Sequence, residues 1–92
     1  MSAELSIHQL QIADTEFIVC DVETTGLSPD RNRLTEIALL RMRGIQVVER
    51  FDSLVNPRQF IPPEVQRLTG ISNEMVYTAP DVEEVMPKVK DF

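Results

Sequence analysis

The sequence predicts a small α/β chain in which a three-stranded antiparallel meander is followed by short helices. Two observations predict it. In the first half, three runs rich in apolar and β-branched residues, 17–22, 34–42 and 46–55, are separated by short polar connections, as neighbouring antiparallel strands require. In the second half that pattern gives way to prolines at openings, a glycine at a close and apolar residues at helical spacing.

Size and composition limit the possibilities. Ninety-two residues make one small domain with a modest buried fraction, and 42% hydrophobic with 26% charged residues is ordinary globular composition. A net charge of −6 argues against a broad phosphate-tracking surface, because nonspecific nucleic-acid affinity comes mainly from lysine and arginine. Any nucleic-acid contact is therefore expected to be short and metal-mediated. The single cysteine, Cys20, allows no disulfide within the chain and reads as a buried, inert thiol inside an apolar strand. No run approaches 18 apolar residues and no signal peptide is evident, so the expected location is cytoplasmic, without membrane contact.

Residues 1–14 read as a leader in which Leu5, Ile7, Leu10 and Ile12 keep no period, and His8 within it reads as a surface imidazole. The run 17–22 reads as a buried strand, bounded by the turn Thr24-Thr25-Gly26. Side chains alternate along a strand, so Asp21 and Glu23 project from one face, roughly 6 to 7 Å apart at the backbone. Like charges that close repel unless a cation lies between them, and a hard divalent ion with oxygen ligands suits the pair. A solvated acid pair is the alternative for a bare D-x-E.

The polar loop 27–33 carries a Pro-Asp turn signal. Asp21, Glu23, Thr25 and Gly26 also fall on calcium-loop positions, but position twelve is Asn32 and no helical pattern precedes Asp21, which rejects that motif. Within the second strand Glu36 is an acid among apolar residues. It either supports the first acid pair and its turn or pairs with an arginine such as Arg33.

Pro63 and Gly70 bracket a helix over 63–69, and Ser72 caps a further turn through residue 75. Asp81, with Glu84 three residues on, opens an amphipathic helix carrying Val82, Val85, Met86 and Val89, bent at Pro87. Asp81, Glu83, Glu84 and Asp91 read as helix-dipole and solvent-facing acids rather than ligands.

The string Asp21-Val22-Glu23-Thr24-Thr25-Gly26-Leu27 after an apolar strand resembles the first motif of the DEDD 3′ to 5′ exonucleases, the family of polymerase III epsilon subunits and RNase T. Leu68-Thr69-Gly70-Ile71 and Ala79-Pro80-Asp81-Val82-Glu83-Glu84-Val85 resemble later family text, so the resemblance runs from about Thr15 to Phe92. It implies the N-terminal, incomplete part of a ribonuclease H-like exonuclease fold. It further implies hydrolysis at the 3′ end of a single strand with two Mg²⁺ or Mn²⁺ ions, about 4 Å apart. Asp21 and Glu23 would be catalytic metal ligands; Thr24, Thr25, Gly26 and Thr69 would meet the terminal nucleotide.

The family's second and third acid motifs and its general base have no counterpart in these residues, so at most one weakly held ion and essentially no activity are expected of the 92 residues alone. Three function classes follow: a 3′ to 5′ exonuclease, a non-catalytic module binding nucleic acid or a DNA polymerase subunit, and a simple divalent-ion domain. An exposed sheet edge with apolar surface, and a homodimer formed through it, are further expectations.

Overall fold

The computed structural model describes residues 15–92. The leader and His8 lie outside them. Three strands, β1 (Glu16–Thr24), β2 (Leu34–Arg43) and β3 (Gln46–Leu54), form an antiparallel sheet in the order β1-β2-β3. Helices α1 (Pro63–Thr69), α2 (Asn73–Tyr77) and α3 (Val82–Asp91) follow. Gly44, at φ 57°, turns the chain from β2 into β3, with Arg43 opposite Gln46. That left-handed conformation is one that a Cβ would oppose.

In β2 the alternation is clear: Thr35, Ile37 and Leu39 are buried while their neighbours are half-buried. Helix α3 lays Val85 on that face, and Val85, Ile37, Leu39 and Val55 form one core cluster, with Phe51, Val89 and Phe92 packed around it. Pro87 sits inside α3, which runs through it. A second cluster, Ile61, Ile71 and Val76, packs against Leu54, Val65 and Ala79 and joins α1 and α2 to the end of the sheet.

β1 is not the buried strand that its composition predicts. It occupies a sheet edge and α3 covers β2 and β3 instead, so Phe17, Ile18, Val19 and Val22 remain 37–45% exposed and Cys20 is exposed rather than buried. On the face away from α3, Phe17, Met42 and Val47 stand side by side in register, and two of these, Phe17 and Val47, are exposed. No helix among the described residues is long and apolar enough to cross a membrane.

Candidate active site

β1 carries the acid pair to its C-terminal end. Asp21 is paired with Ala38 and Glu23 with Glu36, and the register shifts between Glu23 and Thr24, the last residue of β1, which pairs with Leu34. Two positions apart in a continuous strand, the two carboxylates share one face. The three ion pairs among the described residues are Arg41 with Glu49, Arg43 with Glu16 and Arg58 with Asp81, so no arginine neutralises either acid. No such pair joins Glu36 to Arg33; the Arg33 guanidinium is directed to the Pro57 carbonyl at 3.5 Å.

Beyond Glu23 the chain makes a tight turn. The Thr24 hydroxyl donates to the Gly26 carbonyl at 2.5 Å, while the Gly26 N–H points back to the same hydroxyl at 3.4 Å. The glycine is required by space rather than by φ: a Cβ on Gly26 would stand 2.7 Å from Asn32 Oδ1 and 2.9 Å from its Cγ. Asn32 in turn accepts from the Ser28 N–H at 2.7 Å and donates to the Thr25 hydroxyl at 3.1 Å. Thr25 is 1% exposed. Its hydroxyl donates to Gln59 and accepts from the Arg33 N–H at 3.1 Å, so the side chain holds the loop from behind instead of facing outward.

Opposite this turn stands α1. Pro63 opens it and Gly70, left-handed at φ 76°, closes it with its N–H on the Gln66 carbonyl. Between the turn and the helix lies a cleft of about 450 Å³, lined by Val22, Glu23, Thr24, Gly26 and Leu27 on one side and Glu64, Val65, Leu68 and Thr69 on the other. The Thr69 hydroxyl donates to the Val65 carbonyl at 2.9 Å and accepts from the Ile71 N–H at 3.2 Å. Leu27 is 101% and Leu68 84% exposed, so the cleft offers apolar surface beside its two carboxylates, Glu23 and Glu64.

Four of the six residues singled out from the sequence, Glu23, Thr24, Gly26 and Thr69, therefore meet in one cleft. Asp21 is exposed one pleat back along β1, outside the cleft lining, and Thr25 is packed behind it. Leu27, Leu68, Asn32 and Gln59 were not singled out. The two leucines had a signal in their position beside Gly26 and Thr69, whereas the two amides had none.

As a donor set, two unpaired carboxylates on one strand face suit one hard divalent cation, since Mg²⁺ is commonly held by one or two carboxylates with substrate phosphate completing its shell. No group of three or more histidine, cysteine or acid side chains able to hold a metal occurs among the described residues.

Comparison with known proteins gives a consistent result. An exonuclease family model matches residues 18–92. DNA polymerase III subunit epsilon of Aquifex aeolicus is 37% identical over 81 residues, covering 88% of this chain and 40% of that protein. A PolC-type DNA polymerase III of Caldanaerobacter subterraneus subsp. tengcongensis is 42% identical over 77 residues, covering 84% of this chain and 6% of that protein. Among solved structures, Exonuclease X in complex with 5′ overhanging duplex DNA matches with TM-score 0.69 and 29% identity over 78% of this chain and 42% of that one. The nuclease domain of 3′hExo, a DEDDh family member bound to rAMP, shares the fold with TM-score 0.73 at 21% identity, over 83% of this chain and 42% of that one. The chain thus spans about two fifths of the epsilon relative and a small part of the PolC-type one.

Proposed function

The chain belongs to the exonuclease family and has the N-terminal part of its ribonuclease H-like fold, and from that premise we propose that residues 15–92 form the 3′-end-binding part of a metal-dependent 3′ to 5′ exonuclease. One observation carries the reading: Glu23, on the same strand face as Asp21, opens directly into the cleft that Thr24, Gly26 and Thr69 also line. Asp21 and Glu23 would hold the divalent ion, Mg²⁺ or Mn²⁺. When bound, the ion supplies charge neutralisation at a phosphate and activation of a water. The exposed apolar surface of Leu27 and Leu68 would receive the face of a terminal base, and Thr69, which also lines the cleft, would approach its sugar. Glu64, on the opposite wall, keeps the cleft acidic, so the phosphate depends on the cation for its attraction.

The 92 residues alone are proposed to bind an end without turning it over, because β1 offers two acids for the metal, no group of three or more histidine, cysteine or acid side chains able to hold one occurs among the described residues, and those residues include no histidine to act as general base. The names of the polymerase III relatives support a DNA polymerase subunit as partner. The alternative, a non-catalytic module for nucleic acid or polymerase, is favoured by the same short acid set.

Fluorescence anisotropy with a 5′-labelled single strand tests the reading. Binding in Mn²⁺ should require a free 3′-hydroxyl, should vanish in EDTA and should be lost in Glu23→Gln. Equal binding to a 3′-phosphorylated strand, or binding indifferent to metal, would sink it. In a degradation assay with Mn²⁺ the expected result is no turnover above buffer, and robust turnover abolished by Asp21→Ala would overturn the inactivity.

A further inference from the structure

One carboxamide joins the two walls of the cleft. Gln59, in the connection between β3 and α1, accepts a hydrogen bond from the Thr25 hydroxyl and donates through Nε2 to the Arg31 carbonyl at 3.1 Å. Both partners belong to the connection between β1 and β2, at its start and near its end. Thr25 immediately follows Thr24 and is among the most buried polar residues of the chain. Two residues beyond Gln59, Ile61 is 0% exposed, its N–H on Asn73 Oδ1 at 2.8 Å and its carbonyl accepting from Gln66 Nε2 at 2.9 Å, which anchors the start of α1. Gln59 therefore lies at the junction of the turn 24–27 and the helix carrying Glu64, Leu68 and Thr69.

The backbone before Gln59 is fixed from a third direction. Arg58 adopts the left-handed conformation, φ 55°, that side chains rarely take. It is held there by a two-pronged contact with Asp81, at 2.6 and 3.0 Å, and by its N–H on Asn56 Oδ1 at 2.9 Å. Neither Arg58 nor Gln59 lines the cleft, so whatever they do for a ligand they do through its walls.

We infer that Gln59 is a positioning residue that sets the separation of the two cleft walls, and with it the fit of a 3′-terminal nucleotide. The ligand's identity rests on the reading under Proposed function; the wall geometry does not. Leucine at position 59 would leave the Thr25 hydroxyl without its acceptor and the Arg31 carbonyl without its donor, a loss that falls on both limbs of the loop.

The test pairs amide NMR spectra with titrations of Mn²⁺ and of adenosine 5′-monophosphate in Mn²⁺. Gln59→Leu should shift the amide signals of both walls, 24–27 and 64–69. It should weaken the nucleotide about tenfold, as expected for one hydrogen bond's worth of misfit. Mn²⁺ affinity should stay unchanged, because the sheet and not the loop fixes Asp21 and Glu23. Gln59→Glu, which keeps the acceptor for Thr25, should recover part of the affinity, and Thr25→Val combined with Gln59→Leu should cost less than the sum of the two singles, because one lost bond is common to both. Shifts confined to residues 58–60 overturn the inference, as does a parallel fall of nucleotide affinity, Mn²⁺ affinity and melting temperature. Where Gln59→Leu does not fold, Gln59→Glu carries the same spectral comparison, with changes expected at residue 31 and both walls. A wild-type chain that binds no nucleotide overturns the previous reading, and the amide signals still decide this one.

Discussion

Glu23 of β1 stands directly opposite Glu36 of β2, so two carboxylates face one another across a single pair of strands with no arginine between them. Like charges in that relationship oppose pairing by a few tenths of a kcal/mol up to about 1. Glu36→Gln should therefore raise stability by about 0.5 kcal/mol in EDTA, measured by urea unfolding. If Glu23 holds a cation, the gain should shrink in Mn²⁺, which already relieves the repulsion. An equal gain in both conditions would remove Glu23 from the metal site.

The acid pair itself gives a second expectation. Calorimetric titration of Mn²⁺ should show one ion per chain, weakened by about 10-fold or more in either Asp21→Asn or Glu23→Gln. Asp30→Asn, in the exposed loop, is the control and should leave the titration unchanged. Ion binding untouched by both site substitutions would place the metal elsewhere.

A third concerns pH. The Arg58 guanidinium, chiefly through its hydrogen bond, holds the Asp81 carboxyl below its ordinary value against an opposing desolvation, as Arg43 does for Glu16. A carboxylate depressed on folding contributes its stability fully above the unfolded value near 4. That contribution is lost as pH falls through the folded value. Arg58→Gly removes the pair but also relieves the left-handed side-chain conformation at φ 55°. The melting temperature of the variant relative to wild type should thus rise as pH is lowered from 7 to 3, because protonation of Asp81 progressively takes the ion pair from wild type while the backbone relief in the variant is independent of pH. A larger advantage at pH 7 than at pH 3 would reverse the sign and refute the argument.

Much of this architecture was legible in the chain because its punctuation is local. Pro63 and Gly70 fix both ends of α1, and the short text at Gly44 fixes the β2 to β3 hairpin, so these elements fall where the sequence places them. The burial of β1 was not legible. Phe17 to Val22 reads as core by composition, but what covers a strand depends on its rank in the sheet and on where α3 lands. The site divides in the same way. Glu23, Thr24, Gly26 and Thr69 were marked by motif and meet in the cleft, whereas the inward turn of Thr25 depends on Gln59, 34 residues away. Asp81 read as a helix-capping acid. Its N–H does bond to Glu84 at 3.2 Å, yet its carboxylate is taken by Arg58, whose backbone conformation no pattern announced.

The core gives a fourth expectation. Ile61 is wholly buried between Ile71 and Val76 and anchors the start of α1, so Ile61→Ala should cost about 2–5 kcal/mol, read from denaturant unfolding. Because that cluster carries one wall of the cleft, nucleotide affinity should fall with it at temperatures where the chain is still folded. Unchanged affinity in a destabilised variant would show the wall to be independent of the cluster.

The last expectation separates crowding from conformation at Gly26. Its backbone needs no positive φ, but a methyl group there would press on Asn32, whose amide holds both Ser28 and Thr25. Gly26→Ala should therefore displace that side chain and cost about 1–3 kcal/mol, through overpacking and through the hydrogen bonds it breaks. Asn32→Ala alone loses the same bonds without the clash. In the double variant the methyl enters the space the amide vacated, so its cost should be well below the sum of the two singles and close to that of Asn32→Ala. Strict additivity in the unfolding free energies would mean that glycine is required at position 26 for a reason other than the approach of Asn32.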